Sequence, residues 1–69
     1  MEHKNGQYRK NIHIGDEVDI VLKQDQQTGE LTRGMVLKIL TNSSQHPHGI
    51  KVMLESGKVG RVKKILSQK

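Results

Sequence analysis

The chain of 69 residues has no cysteine, tryptophan, phenylalanine or alanine, and holds a single proline, Pro47, and a single aromatic residue, Tyr8. Without cysteine there can be no disulfide and no thiolate metal site. That excludes a stapled secreted scaffold and points to a reducing compartment, the cytoplasm. Without alanine the strongest helix former is missing. With almost no aromatic side chains, any core has to be aliphatic, and a mode of nucleic-acid binding that stacks bases on aromatic rings has only Tyr8 to draw on. Long hydrophobic runs are also absent: no apolar stretch exceeds three residues, against roughly 20 needed to cross a bilayer. The opening segment Met1 to Gln7 lacks the apolar run of a signal peptide. The expectation is a soluble, cytoplasmic protein with no membrane contact.

What is present is branched and aliphatic: six Val, six Ile, six Leu and three Met. A length of 69 residues suits one small domain, because two halves would each bury too little apolar surface to stand alone. Val, Ile and Thr together make 15 residues, and β-branched side chains fit a pleated sheet better than a helix. Val18, Ile20 and Leu22 alternate with Asp19, Val21 and Lys23, the pattern of a half-buried strand whose second face meets water. Ile14-Gly15-Asp16 reads as the turn that leads into it. Residues 23–33 read as a polar loop or long hairpin tip around Thr28-Gly29. Thr32 to Leu40 reads as a second strand with Met35, Leu37 and Ile39 on one face and a bend at Gly34. Thr41 to Gly49 is a nine-residue run of turn formers, too long for a tight hairpin and hence a candidate functional loop. Ile50, Val52 and Leu54 mark a third strand. After Ser56-Gly57, Val59 to Leu66 marks a fourth, where a bulge near Gly60 would turn Val62 inward; a helix is the alternative for this last segment.

Four or five short strands with glycines at their bends predict an all-β fold, a small antiparallel barrel over residues 12–69. Residues 1–11, poor in apolar side chains, are expected to form a flexible basic arm that carries Arg9 and Lys10.

The formal charge of +5 is unevenly spread: net +2 over residues 1–14, −4 over 15–30 and +7 over 31–69. Such asymmetry suits a polyanionic partner. The candidate binding group is Arg33, Lys51, Lys58, Arg61, Lys63 and Lys64. A Ser56-Gly57 hairpin would bring Lys51 and Arg61 onto neighbouring strands, where they can meet successive phosphates. Arg33 and Arg61 each adjoin a glycine, which leaves room for a phosphate to approach. Pairing with the acidic block, Arg33 with Asp25 or Glu30, is the competing reading. His46 and His48, two apart around Pro47, suit a rigid loop whose imidazoles bond its own backbone, an anion contact, or a metal; a metal site lacks the further ligands such a centre needs. Asp16, Glu17 and Asp19 cluster in sequence, but Glu17 and Asp19 alternate along a strand with apolar neighbours and read as a solvated face. No nucleophile elbow, carboxylate pair or phosphate loop is present, so the expectation is a protein that is not an enzyme and uses no cofactor and no metal.

Two resemblances sharpen this reading. Ile14 to Ile20, Gly34-Met35-Val36 and Ile50 to Gly57 resemble the strand order of SH3-like barrels of the KOW type, modules that contact RNA or partner proteins. A larger set of segments resembles the YwbE-like family of short bacterial proteins, a domain of unknown function. These are Asn5-Gly6-Gln7, Arg9 to Ile12, Val18 to Lys23, Asp25-Gln26 with Thr28-Gly29, Thr32-Arg33-Gly34, Ile39-Leu40-Thr41, His46 to Val52, and Gly57 with Val59 to Val62. Met53 departs from that pattern, which implies an arginine there. The resemblance implies no activity. Together these readings predict an SH3-like barrel that contacts RNA or a ribonucleoprotein surface, directed at the backbone of folded or double-stranded RNA because aromatics are scarce. The alternative is a protein interaction module that docks on a larger assembly.

Overall fold

The computed structural model describes residues 4–67. The order of elements is β1 (Lys4–Asn5), a 3-10 turn at Arg9–Asn11, β2 (Glu17–Leu22), a second 3-10 turn at Lys23–Asp25, β3 (Thr32–Ile39), β4 (Lys51–Leu54) and β5 (Val59–Ser67). Strands β2, β3, β4 and β5 form an antiparallel meander, and β5 pairs with both β4 and β2. The sheet therefore closes on itself as a four-stranded barrel, the SH3-like all-β architecture expected from the sequence. Closure leaves no long unpaired edge on a chain rich in β-branched residues.

The interior is Ile12, Val18, Ile20, Val36, Ile50, Val52, Leu54, Val62 and Ile65. All but Leu54 are β-branched, so their side chains lose little rotamer freedom on packing. Each strand contributes by alternation until a bulge changes its phase. In β5, Val62 lies opposite Ile20 and Lys64 opposite Asp19, so Lys63 is an extra residue with no partner on β2. This bulge, three residues past the expected Gly60, lets Val62 and Ile65 both point inward despite their odd spacing. The helix considered for this segment does not form. A second shift separates Ile65 from Ser67.

β3 departs from expectation for the same reason. Val36 is fully buried and Ile39 packs against the core, while Leu37 is 48% exposed. A register shift between Val36 and Lys38 against β4 breaks the alternation that would have put Met35, Leu37 and Ile39 together. The solvated face expected for Asp19 is also overturned. Asp19 is buried, with Arg33 of β3 and Lys64 of β5 as its cross-strand partners. Asp16 is fully buried as well, and its Oδ2 accepts the His13 N–H at 2.8 Å in the turn before β2.

Residues 4–11, read from sequence as an arm, are docked on the barrel; Met1 to His3 lie outside the described residues. Lys4 and Asn5 pair with Ile65 and Lys64. The Ile50 N–H donates to the Gly6 carbonyl at 2.9 Å, and the Val62 N–H to the Ile50 carbonyl at 2.9 Å. The segment docks through backbone groups and polar side chains, which apolar periodicity does not register. Gly6 and Gly49 both close on the Val62 carbonyl: a Cβ at either would collide with that oxygen.

Gly49 also has a φ of +103°, so it carries two requirements for glycine, whereas Gly57 has a φ of +92° with open space around it. A left-handed backbone costs an ordinary residue about 1–2 kcal/mol. Gly57→Ala is therefore expected to lose about 1 kcal/mol in urea denaturation, and Gly49→Ala about 3 kcal/mol or more once the steric clash is added. Equal losses at the two positions would show that the approach to Val62 is not tight.

Candidate functional site

The outer face of the barrel is set by the residues that alternate with the core. Ile20 points inward, so Val21 points outward, and its Cα partner on β5 is Arg61, whose partner on β4 is Lys51. One row across three strands thus reads Val21, Arg61, Lys51. Lys63 lies two residues along from Arg61 on the bulge. Lys23, two past Val21, starts the 3-10 turn that ends β2. Lys23, Lys51 and Arg61 line one shallow cleft together with Val21, Gln26, Val59 and Gly60. A neighbouring cleft of about 530 Å³ is lined by Val21, Gln26, Gly29, His48, Arg61 and Lys63. Val21, Gln26 and Arg61 are common to both, so the two clefts form one basic depression.

Two of the cations in this depression are held by loop backbone. Arg61 Nη1 donates to the Gly49 carbonyl at 3.3 Å, and Lys63 Nζ donates to the His48 carbonyl at 3.0 Å. Each side chain keeps further N–H groups for a ligand. Among the described residues the carboxylate contacts of basic side chains are the Arg33–Asp19 ion pair and the approach of His13 Nδ1 to Asp16 Oδ2 at 3.5 Å, so Lys51, Arg61 and Lys63 face no bonded carboxylate.

The loop at residues 41–49 is itself fastened to the N-terminal segment. Gln7 Nε2 donates to the Pro47 carbonyl at 2.6 Å, the His46 N–H to the Gln7 carbonyl at 2.9 Å, and the Arg9 N–H to the Ser44 carbonyl at 2.9 Å. Arg9 Nε reaches the Thr41 carbonyl at 3.1 Å. Inside the loop the His48 N–H donates to His46 Nδ1 at 3.1 Å, and the two rings lie 5.7 Å apart between centroids. His46 therefore bonds the loop backbone, as the rigid-loop reading expects, while His48 lines the larger cleft. No cluster of three or more metal-ligating side chains occurs among the described residues.

The structure thus joins Lys51, Arg61, Lys63, His46 and His48 in one region and separates the other candidates from it. Arg33 is held by Asp19, its Nε 3.1 Å from Oδ1. This partner lies directly across the sheet, in place of the expected Asp25 or Glu30. The hydrogen bond to Asp19, then its charge, raises the Arg33 guanidinium further above its ordinary range. Lys64 sits opposite the same Asp19 on the other side. Lys58 is exposed in the turn that precedes β5. Lys23, Gln26 and Val21 went unselected from sequence. The available signal was Val21 itself, an apolar residue on the face of β2 that alternation assigns to water, yet only 6% exposed.

Burial pushes the His46 imidazole below its ordinary pKa, and the nearby positive charges of Arg61 and His48 act in the same direction. Protonation at Nδ1 would also remove the acceptor used by the His48 N–H. A histidine lowered in the folded state is protonated first in the unfolded chain, so folding stability is retained above about pH 6.5 and declines as pH falls below it. The melting temperature is expected to drop between pH 7 and pH 5, and to drop less in His46→Gln, which keeps an acceptor but does not titrate. Parallel pH profiles for the two proteins would remove His46 as a source of this dependence.

Comparison with known proteins covers most of the chain. The family described as "Uncharacterized conserved protein (DUF2196)" matches residues 5–65. "Uncharacterized protein YwbE" of Bacillus subtilis (strain 168) is 62% identical over 63 residues, which cover 91% of this chain and 97% of that protein. No solved structure matches the chain. The matched span runs from the residues that pair beside β5 to the inward-facing Ile65, and with it the chain belongs to the DUF2196 family of YwbE-like proteins.

Proposed function

We propose that the protein is a non-catalytic RNA-binding module that contacts RNA or a ribonucleoprotein surface through Lys51, Arg61 and Lys63, with Lys23 and His48 at the margins. The observation that carries this reading is the depression around Arg61. Cations from β4 and β5 converge there, two of them pinned by backbone carbonyls, with no bonded carboxylate among the described residues. Two members of the acidic block are engaged elsewhere: Asp16 and Asp19 are buried and serve His13 and Arg33. Side chains ordered before binding lose less entropy on meeting a phosphate. KOW-type barrels, which the strand segments resemble, contact RNA or partner proteins, and this supports the same direction.

Phosphate contacts release condensed counterions, so log affinity falls linearly with log salt, in proportion to the number of contacts. Titration against a structured RNA at several salt concentrations is expected to give a steep slope. The triple variant Lys51→Gln, Arg61→Gln, Lys63→Gln should flatten it by roughly 2 to 3, about one per contact removed. Lys58→Gln takes a unit of charge from the hairpin turn and should change it by less than one. Binding that ignores salt would reject RNA as the partner and leave docking on a protein assembly, and a triple variant that binds like the parent would reject this depression as the contact.

A further inference from the structure

Scarcity of aromatics suggests a reader of duplex backbone, yet the shape of the depression adds something a duplex does not use. Phosphates of a helix lie on a convex ridge and meet projecting side chains. The cleft of about 530 Å³ between the turn that carries Gln26 and Gly29 and the His48 end of β5 is a recess, and its volume lies within the roughly 300–1,000 Å³ typical of sites that enclose a small ligand.

Its walls differ in chemistry from one side to the other. Arg61 and Lys63 stand on one side with N–H groups left over after their bonds to the Gly49 and His48 carbonyls. Val21 supplies an apolar floor that is almost fully covered. Gln26 is exposed in the opposing turn and offers both an amide donor and an amide acceptor. Gly29 has no side chain, and open space surrounds the place where its Cβ would stand. The exposed His48 ring can lie against a flat group, as histidine does with unstacked bases. Among the described residues no carboxylate lines the cleft.

We infer that this cleft receives one unpaired nucleotide of the bound RNA: its phosphate against Arg61 and Lys63, its base beside His48, and the edge of the base hydrogen-bonded to Gln26. The inference rests on the RNA-binding reading and narrows it to RNA in which a nucleotide is extruded from, or flanks, a paired stem. A free nucleoside 5′-phosphate has the same chemistry, so the test separates the two sources.

The measurement is fluorescence anisotropy with two labelled hairpins, one fully paired and one with a single unpaired nucleotide in the stem. Adenosine 5′-monophosphate is titrated alone by NMR. The wild-type protein is expected to bind the interrupted hairpin about tenfold more tightly, the discrimination that a base-edge contact typically supplies. Gln26→Ala, an exposed loop change, should bring that ratio close to one while circular dichroism stays that of the parent. Adenosine 5′-monophosphate should bind only in the millimolar range. Equal affinity for the two hairpins, both falling with salt, overturns the inference and leaves the RNA reading standing; salt-independent or absent binding to both removes that reading as well. A preference that survives Gln26→Ala refutes the placement in this cleft, and micromolar binding of the free mononucleotide without hairpin preference makes the cleft a small-molecule site instead.

Discussion

The close approach of three backbone segments at Val62 is the contact on which the molecule turns. Gly6 and Gly49 both lean on the Val62 carbonyl, and the Val62 N–H is taken by Ile50, whose own N–H is taken by Gly6. A side chain at either glycine would hold the segments apart. Because they meet, the N-terminal residues lie along β5 and continue the line of β4. The loop at residues 41–49 is drawn in beside them. That loop then presents the carbonyls of His48 and Gly49 to Lys63 and Arg61. Docking of the N-terminal segment and the orientation of the basic side chains therefore share one cause.

The charge pattern of the chain acquires a different meaning once folded. In sequence, an acidic block precedes a basic half. In space, Asp19 lies within the sheet between Arg33 and Lys64, and the carboxylate of Asp16 organises the turn at His13. These acids are committed to neighbours on the barrel wall. The row formed by Lys51, Arg61 and Val21 lies elsewhere on the same sheet, and the bulge at Lys63 keeps that lysine beside it. The ion-paired Arg33 and the unpaired cations around Arg61 thus occupy separate rows of one sheet.

Much of the architecture was legible because alternation marks strands whose second face is polar. β4 obeys it, β2 obeys it on its inward face, where Val18 and Ile20 alternate, and the Ser56-Gly57 turn correctly brought Lys51 and Arg61 together. β3 and β5 are where the pattern failed, since a bulge moves an apolar residue to the other face without any residue type announcing it. Gly60 is not where β5 bulges: its Cβ would sit 2.5 Å from the Val21 carbonyl, so it is glycine because β2 passes close by. Asp19 was misplaced because long side chains on flanking strands can cover a carboxylate that periodicity leaves in water. Gln26 and Val21 escaped notice because a polar loop carries no sign of which strand it will overhang. The docking of residues 4–11 was equally silent, being made through peptide groups and polar side chains that apolar periodicity does not register.

Tyr8 gains an unusual status from a core made solely of branched aliphatics. The ring is 40% exposed, and its backbone bridges to Gln45 where the N-terminal segment meets the histidine loop. Ultraviolet absorbance and intrinsic emission of this protein consequently originate from that seam and not from the barrel interior. Spectroscopic melting will register detachment of the seam, whereas the backbone signal of the sheet reports on the interior, so any interval between the two transitions measures how far the strap can lift before the cylinder opens.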